Sequence, residues 1–108
     1  MRKKFRVNWA GPARLDLIDI SEFIAEKSPT SALKSVKKIR ERVSSPYFEP
    51  ERCRVVPELA NQGITKYREL IISPWRIIFE IDDKTVLIVV VADGRRNLED
   101  LLFKRLLR

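Results

Sequence analysis

The sequence predicts a small α+β fold, an antiparallel sheet of four to five strands with two N-terminal helices on one face and a C-terminal helix. Three observations lead to this prediction. Residues 4–10, KFRVNWA, alternate apolar and polar side chains with the two-residue period of a half-buried strand. The apolar spacing becomes helical from Ala13 onward. Three strand-like segments then follow one another closely between residues 67 and 92.

Two helices are predicted after the first strand. Gly11 and Pro12 end the strand, and the first helix follows them. Ser28 and Pro29 begin the second helix, the serine as its cap and the proline as its first residue. Each helix has an apolar stripe that we expect to face the sheet, formed by Ala13, Leu17, Ile20 and Ile24 in the first and by Ala32, Val36, Ile39 and Val43 in the second.

The second half of the chain predicts a meander of three strands, Tyr67 to Ile72, Trp75 to Ile81 and Thr85 to Ala92. Short turns join them, which favours antiparallel pairing. The third strand is apolar on both faces, so we expect it inside the sheet. Before the meander, Pro57 confines the segment RVVPEL to an edge strand or a loop.

The last helix is predicted to start near Asn97 as its cap. It is apolar nearly all round, so it either covers the second face of the sheet or contacts a partner. With 108 residues, 44% of them hydrophobic, the chain suits one core, and we expect a single domain over residues 1–108.

Composition narrows the chemistry. The chain has 22 Lys and Arg against 15 Asp and Glu, a net charge of +7, which favours acidic or polyanionic partners or simply maintains solubility. With one cysteine and no histidine, neither a disulfide nor a zinc site is predicted, and we expect no metal and no cofactor. The longest apolar run is far shorter than the roughly 20 residues of a membrane span, so a cytoplasmic protein without membrane contact is expected.

Three arginines interrupt or follow the apolar strands. Arg68 and Arg76 lie within them, and Arg96 lies just beyond the interior strand. If these side chains converge on the sheet face without helices, their guanidinium groups can hold a phosphodiester or stabilise the charge of a phosphate under attack. The alternative is that Arg68 merely pairs with Glu69 or Glu80 across strands.

An ordered series of segments, CRVVPEL, KYREL, PWRIIFEI and VLIVVVADGRR, resembles the toxins of the RelE/ParE superfamily, also called the plasmid stabilisation protein family. These are the toxins of bacterial type II toxin–antitoxin modules. The resemblance implies one of two activities: RelE-like members cleave mRNA on the ribosome, and ParE-like members poison DNA gyrase. In both cases it implies a cognate antitoxin with an acidic or amphipathic segment.

The resemblance also implies site residues, but it is incomplete. As a ribonuclease the chain would use Arg68, Arg76 and Arg96, with Glu58 as the general base. The tyrosine of some ribonuclease members is absent near Leu102, and Asp93 replaces a common histidine. Because no general acid can be named, we favour a toxin that binds DNA gyrase without cleaving RNA. Its contacts with the target or the antitoxin are predicted at Arg95, Leu98, Leu102, Phe103 and Arg105. A non-toxic basic RNA- or protein-binding module is the third hypothesis, and no oligomeric state is predicted.

Overall fold

The computed structural model describes residues 4–107, which form a five-stranded sheet between two helical layers. The strands are β1 (Arg6–Trp9), β2 (Arg54–Val55), β3 (Tyr67–Ile72), β4 (Trp75–Asp82) and β5 (Thr85–Asp93), in the spatial order β1-β5-β4-β3-β2. The helices are α1 (Gly11–Ala25), α2 (Pro29–Ser44), the single turn α3 (Pro57–Ala60) and α4 (Glu99–Leu106), and a 3₁₀ turn covers Pro50–Arg52.

The sheet is mixed, so the prediction of an antiparallel sheet holds for four strands and is wrong for the fifth. Strands β2 to β5 pair antiparallel, whereas β1 pairs parallel with β5, Arg6 opposite Thr85 and Trp9 opposite Ile88. Tight turns force antiparallel pairing within the meander. No such turn joins β1 to β5, because α1 and α2 lie between them in the chain.

The helix starts follow the sequence signals. The Ser28 hydroxyl accepts a hydrogen bond from the Ser31 amide at 3.2 Å, and Pro29 is the first residue of α2, which confirms the predicted cap. The cap of α4 was predicted one residue too early, because the helix begins at Glu99 and Leu98 holds the cap position. The Asn97 side-chain oxygen nevertheless accepts a hydrogen bond from the Glu99 amide at 3.1 Å. The prediction for Pro57 was partly right, because β2 is a two-residue edge strand, and the proline then begins α3.

Each face of the sheet has its own apolar cluster. Helices α1 and α2 cover one face, where Phe79, Ile77 and Ile88 are fully buried. Helices α3 and α4 cover the other face, where Ile78 and Val90 are buried. The terminal helix therefore covers the second face with its own apolar side. Strand β5 is interior as predicted, and a bulge between the pairs of Ile78 and Phe79 shifts its alternation.

Between residues 4 and 107, no helix combines the length and the apolar character that a membrane crossing requires.

Candidate functional site

A row of four charged side chains crosses the α3/α4 face of the sheet. Arg54 Nε donates to Glu69 Oε2 at 2.5 Å, and Arg76 Nε donates to Glu69 Oε1 at 2.6 Å. The two terminal nitrogens of Arg76 donate to the two carboxylate oxygens of Glu58, each at 2.7 Å. The row alternates in sign, so its two positive and two negative charges compensate each other. We call these four residues the Arg76 network.

Strand register brings the network together. In the β3–β4 hairpin Ile71 lies opposite Arg76, and Glu69 lies two pairs further along, opposite Ile78. Residues two apart on a strand share a face, so Glu69 and Arg76 are diagonal neighbours. Arg54 is directly opposite Glu69 on β2, and α3 carries Glu58 over the same face.

Burial differs among the members of the network. The Glu69 side chain is 0% exposed and that of Arg76 is 9% exposed, whereas that of Arg54 is 57% exposed. The hydrogen bonds from Arg76 lower the pKa of Glu58 below its ordinary value. The hydrogen bonds to Glu58 and Glu69 raise the pKa of Arg76, against the opposing effect of burial. Both groups are therefore held in their charged forms.

Gly94, which follows β5, lies directly against the Arg76 side chain. A Cβ atom at this position would lie 3.0 Å from Arg76 Cγ and 3.0 Å from the carbonyl oxygen of Pro74. The Gly94 amide donates to that same carbonyl at 2.8 Å. The glycine is needed here because the end of β5 passes directly over the Arg76 side chain.

The two arginines after Gly94 have different surroundings. Arg95 donates through Nε and Nη2 to Asp93, which lowers the pKa of that aspartate to about 2, and the Arg95 side chain is 70% exposed. Arg96 is exposed, and its side chain forms no hydrogen bond or ion pair with residues 4–107. Beside them lies a cleft of about 500 Å³ whose lining includes Arg54, Arg76 and Arg95, each already paired with a carboxylate.

The expected convergence of the three arginines was wrong. Arg68 lies opposite Phe79 in the β3–β4 register, so it shares the face of Phe79 under α1 and α2. Arg76 is on the reverse face. Arg68 Nη1 donates to the carbonyl oxygen of Cys53 at 2.6 Å instead of reaching the network. It does not pair with Glu80 either; the Glu80 carboxylate forms an ion pair with Lys66 at 3.8 Å.

Helix α4 presents less surface than the sequence suggested. Leu98 and Leu102 are buried against Ile78 and Val90 of the chain's own sheet, so they are not available to a partner while α4 is in place. Phe103 is half-buried at the edge of the same cluster. All three were predicted from the sequence as contact residues. A contact through Leu98 or Leu102 requires an exposed side chain, and in this structure both are buried.

Arg105 is a structural clamp. It donates to both carboxylate oxygens of Asp16 on α1 at 3.1 Å and to the carbonyl oxygen of Val89 at 2.8 Å. Asp16 in turn accepts from the Val91 amide at 3.0 Å. Strand β1 ends opposite Ile88, so these two β5 backbone groups lie beyond its reach. Asp16 and Arg105 satisfy them and join α4 to α1.

Sequence reasoning identified Arg76 and Glu58 but not the pairing between them, and it did not single out Arg54 or Asp16. Glu69 was considered only as an ion-pair partner. A usable signal was present for Glu69: the two-residue turn at Ser73-Pro74 fixes the register of the hairpin and places Glu69 diagonal to Arg76. Asp16 had no such signal, because its partner lies far away in the sequence.

Comparison with known proteins agrees with this architecture. Residues 7–98 match the family described as the ParE toxin of the type II toxin–antitoxin system parDE. A similar solved structure is described as the chromosomal ParDE TA system from P. aeruginosa; the match covers 82% of this chain and 95% of that chain, at 22% identity and a TM-score of 0.65. No curated protein matches the sequence.

The fold is thus of the kind found in a ParDE toxin–antitoxin system, which confirms the predicted fold class. Since the family match spans most of the sequence, the chain belongs to the ParE toxin family of type II toxin–antitoxin systems. A toxin of such a system has a cognate antitoxin as its partner.

Proposed function

We propose that this toxin arrests growth by binding DNA gyrase in the cytoplasm without cleaving RNA, and that its antitoxin reverses the arrest. The observation that carries the proposal is the pairing of Arg76 with Glu58 through two 2.7 Å hydrogen bonds. These are the two groups that a RelE-like mechanism requires most, as the phosphate ligand and the general base. Here each is occupied by the other. Family membership supports the same choice of target.

The ribonuclease alternative requires Arg76 and Glu58 to separate. Arg76 is nearly buried, and an unpaired buried charge is destabilising by several kcal/mol. A freed Glu58 would remain beside Arg76 and Arg54, whose charges lower its pKa and make it a weaker base at neutral pH. Arg68, the third proposed catalytic residue, lies on the reverse face of the sheet. The chain has no histidine to act as the general acid.

Arg95, Arg96 and Phe103 are the residues through which we place the gyrase contact. Of the contact residues expected from the sequence, Arg95 and Phe103 keep exposed surface. Arg96 joins them because it is exposed and adjoins the groove between α1 and the start of α4. The other three predicted contact residues have an indirect role, because they hold α4 on the sheet: Leu98, Leu102 and Arg105.

The test is a map of new mRNA 5′ ends in bacteria shortly after the toxin is induced without antitoxin, with growth followed in the same culture. We expect growth arrest with intact transcripts. New 5′ ends inside translated codons that disappear in Arg96→Ala would overturn the proposal in favour of ribosome-dependent cleavage. Arg96 suits this test because its exposed side chain forms no hydrogen bond or salt bridge with residues 4–107, so we expect its removal to leave the fold intact. Lys104→Ala, also exposed, is the matched control.

A third outcome is normal growth with intact transcripts. It would favour a non-toxic basic module and would also contradict the gyrase proposal. Co-expression of the cognate antitoxin completes the experiment, because it must restore growth if the arrest is caused by the folded toxin.

A further inference from the structure

A second basic surface lies on the other side of the molecule from the Arg76 network. It consists of Lys34, Lys38 and Arg42 on α2 and of Arg68 on β3, and we call it the α2 basic row. The three α2 residues are exposed and follow one another at four-residue spacing. They therefore line one side of the helix, with a rise of about 6 Å from each to the next.

The groove beside α1 shows which side of α2 this is. Val36, Arg40 and Ser44, also four residues apart, line the groove between α1, α2 and β1. Residues 34, 38 and 42 are each two positions away from a residue of this groove-lining set. Two positions correspond to a rotation of about 200° around the helix axis. The α2 basic row therefore faces away from α1, towards the β3 and β2 edge of the sheet.

Arg68 continues the row at the C-terminal end of α2. Its guanidinium group is fixed by the 2.6 Å hydrogen bond to the Cys53 carbonyl. Burial raises the pKa of the Cys53 thiol, and the positive charges of Arg68 and Arg42 oppose that rise. The charges of both guanidinium groups therefore act on Cys53, although the two arginines come from different elements.

The two basic surfaces differ in charge compensation. Every arginine of the Arg76 network hydrogen-bonds a carboxylate. None of the four side chains of the α2 basic row has an acidic partner within residues 4–107; the Glu41 carboxylate on α2 pairs with Lys37. No carboxylate of residues 4–107 therefore pairs with the row, which leaves its positive potential available to an external anion.

We propose that the α2 basic row binds the phosphodiester backbone of nucleic acid without reading its sequence. Evenly spaced cations along a helix suit the even spacing of phosphates along a strand. Ser31 and Ser35 lie on the same side, three residues before Lys34 and Lys38, and hydroxyl groups are common phosphate ligands. An amphipathic acidic peptide would also need apolar contacts, whereas the side chains of this row are charged and its neighbouring serines are polar.

The experiment measures the anisotropy of a labelled 20-base-pair DNA duplex titrated with the purified full-length toxin over a range of salt concentrations. Four phosphate contacts give an expected slope of about −3.6 for log K against log salt. The triple variant Lys34→Gln, Lys38→Gln, Arg42→Gln should reduce the slope to about −0.9 and weaken binding about tenfold or more at low salt. Arg68 is left intact because its hydrogen bond to Cys53 holds the edge of the sheet.

The matched control is the triple variant Arg14→Gln, Arg40→Gln, Lys84→Gln, which removes the same charge from exposed positions outside the row. It should keep the wild-type slope. Equal losses in both variants would mean a general charge effect and would overturn the proposal, as would the absence of duplex binding at low salt. Row-dependent binding of polyglutamate as strong as that of DNA would also overturn it, in favour of an acidic protein partner. The assay contains no gyrase, so its outcome is independent of the gyrase proposal.

Discussion

At the scale of single residues, Arg76 determines what the site can do. Its guanidinium group is almost fully buried, and two carboxylates compensate its charge from two directions. A buried arginine with one partner removed keeps a charge that solvent cannot stabilise. The same contacts that make the charge tolerable occupy three of the five N–H donors with which Arg76 could bind a phosphate. Stability and RNA cleavage are in this way competing uses of one side chain.

Glu69→Gln tests the role of the buried carboxylate. We expect the free energy of unfolding to fall by about 3 kcal/mol or more, because the variant leaves Arg76 with half of its charge compensation. Urea denaturation measures the change. The control is Glu80→Gln, whose 3.8 Å pair with the exposed Lys66 should contribute no more than about 1 kcal/mol. Equal, small effects of the two changes would contradict the account.

Acid should destabilise the toxin partly through Glu58. Its pKa is lowered in the folded state from an ordinary value of 4.5, so its contribution is complete above that pH and is lost as the pH falls through the folded-state value. Asp93 acts in the same direction between its ordinary value of 3.8 and about 2. Unfolding free energies of the wild type and Glu58→Gln, measured from pH 6 downward, should converge in acid. Parallel curves would count against this linkage.

The roles of the site residues were less predictable than their identities. Arg76 and Glu58 follow from the sequence as members of one site, yet the sequence pattern does not distinguish a catalytic pair from a salt bridge. Arg68 shows the opposite case. Alternation placed it on the face of Leu70 and Ile72, and the hairpin register, readable from the short turn, places it opposite Phe79. Treating the three arginines as convergent ignored that register.

At the scale of elements, Gly94 joins the end of β5 to β4. We expect Gly94→Ala to destabilise the fold by about 1–3 kcal/mol, because its Cβ would meet Arg76 Cγ and the Pro74 oxygen at 3.0 Å. Thermal unfolding measures this. Gly11→Ala is the control, since a Cβ there has no atom within 4 Å. If both variants melt together, the close approach at Gly94 is not a constraint.

The Asp16–Arg105 clamp is expected to hold α4 on the sheet. Arg105→Met should cost about 1–3 kcal/mol, because it leaves Asp16 and the Val89 carbonyl without their charged partner. Amide hydrogen exchange in α4 should accelerate more than exchange in α2. Lys104→Met, at an exposed neighbouring position, is the control. If amide protection in α4 is unchanged in Arg105→Met, the leucines of α4 are sufficient to hold the helix on the sheet and the clamp is not required.

The order of elements was largely predictable because each depends on local spacing. The period of the apolar residues and the Ser28-Pro29 start specify α2, and short turns specify the meander. Two features depend on distant contacts and were not predictable in this way. The direction of β1 depends on its pairing with β5, which lies near the other end of the chain, and α3 is a single turn whose Leu59 is buried against the sheet.

At the scale of the whole molecule, the net charge of +7 is distributed unequally. On the α4 side the arginines of the cleft are compensated by Glu58, Glu69 and Asp93. On the α2 side none of the carboxylates that the structure describes pairs with the basic row. A toxin that cuts RNA requires unpaired cationic side chains in the cleft. A toxin that binds a protein–DNA complex can instead carry its unpaired cationic side chains outside the cleft. The charge distribution of this chain fits the second kind.

The most direct measurement is the rate of DNA supercoiling by purified gyrase in the presence of increasing amounts of purified toxin. We predict dose-dependent inhibition that the cognate antitoxin reverses, while mRNA in a ribosome reaction with the same toxin stays intact. Undiminished supercoiling together with mRNA cut on the ribosome would contradict the account, since it would mean that Arg76 and Glu58 separate to perform catalysis.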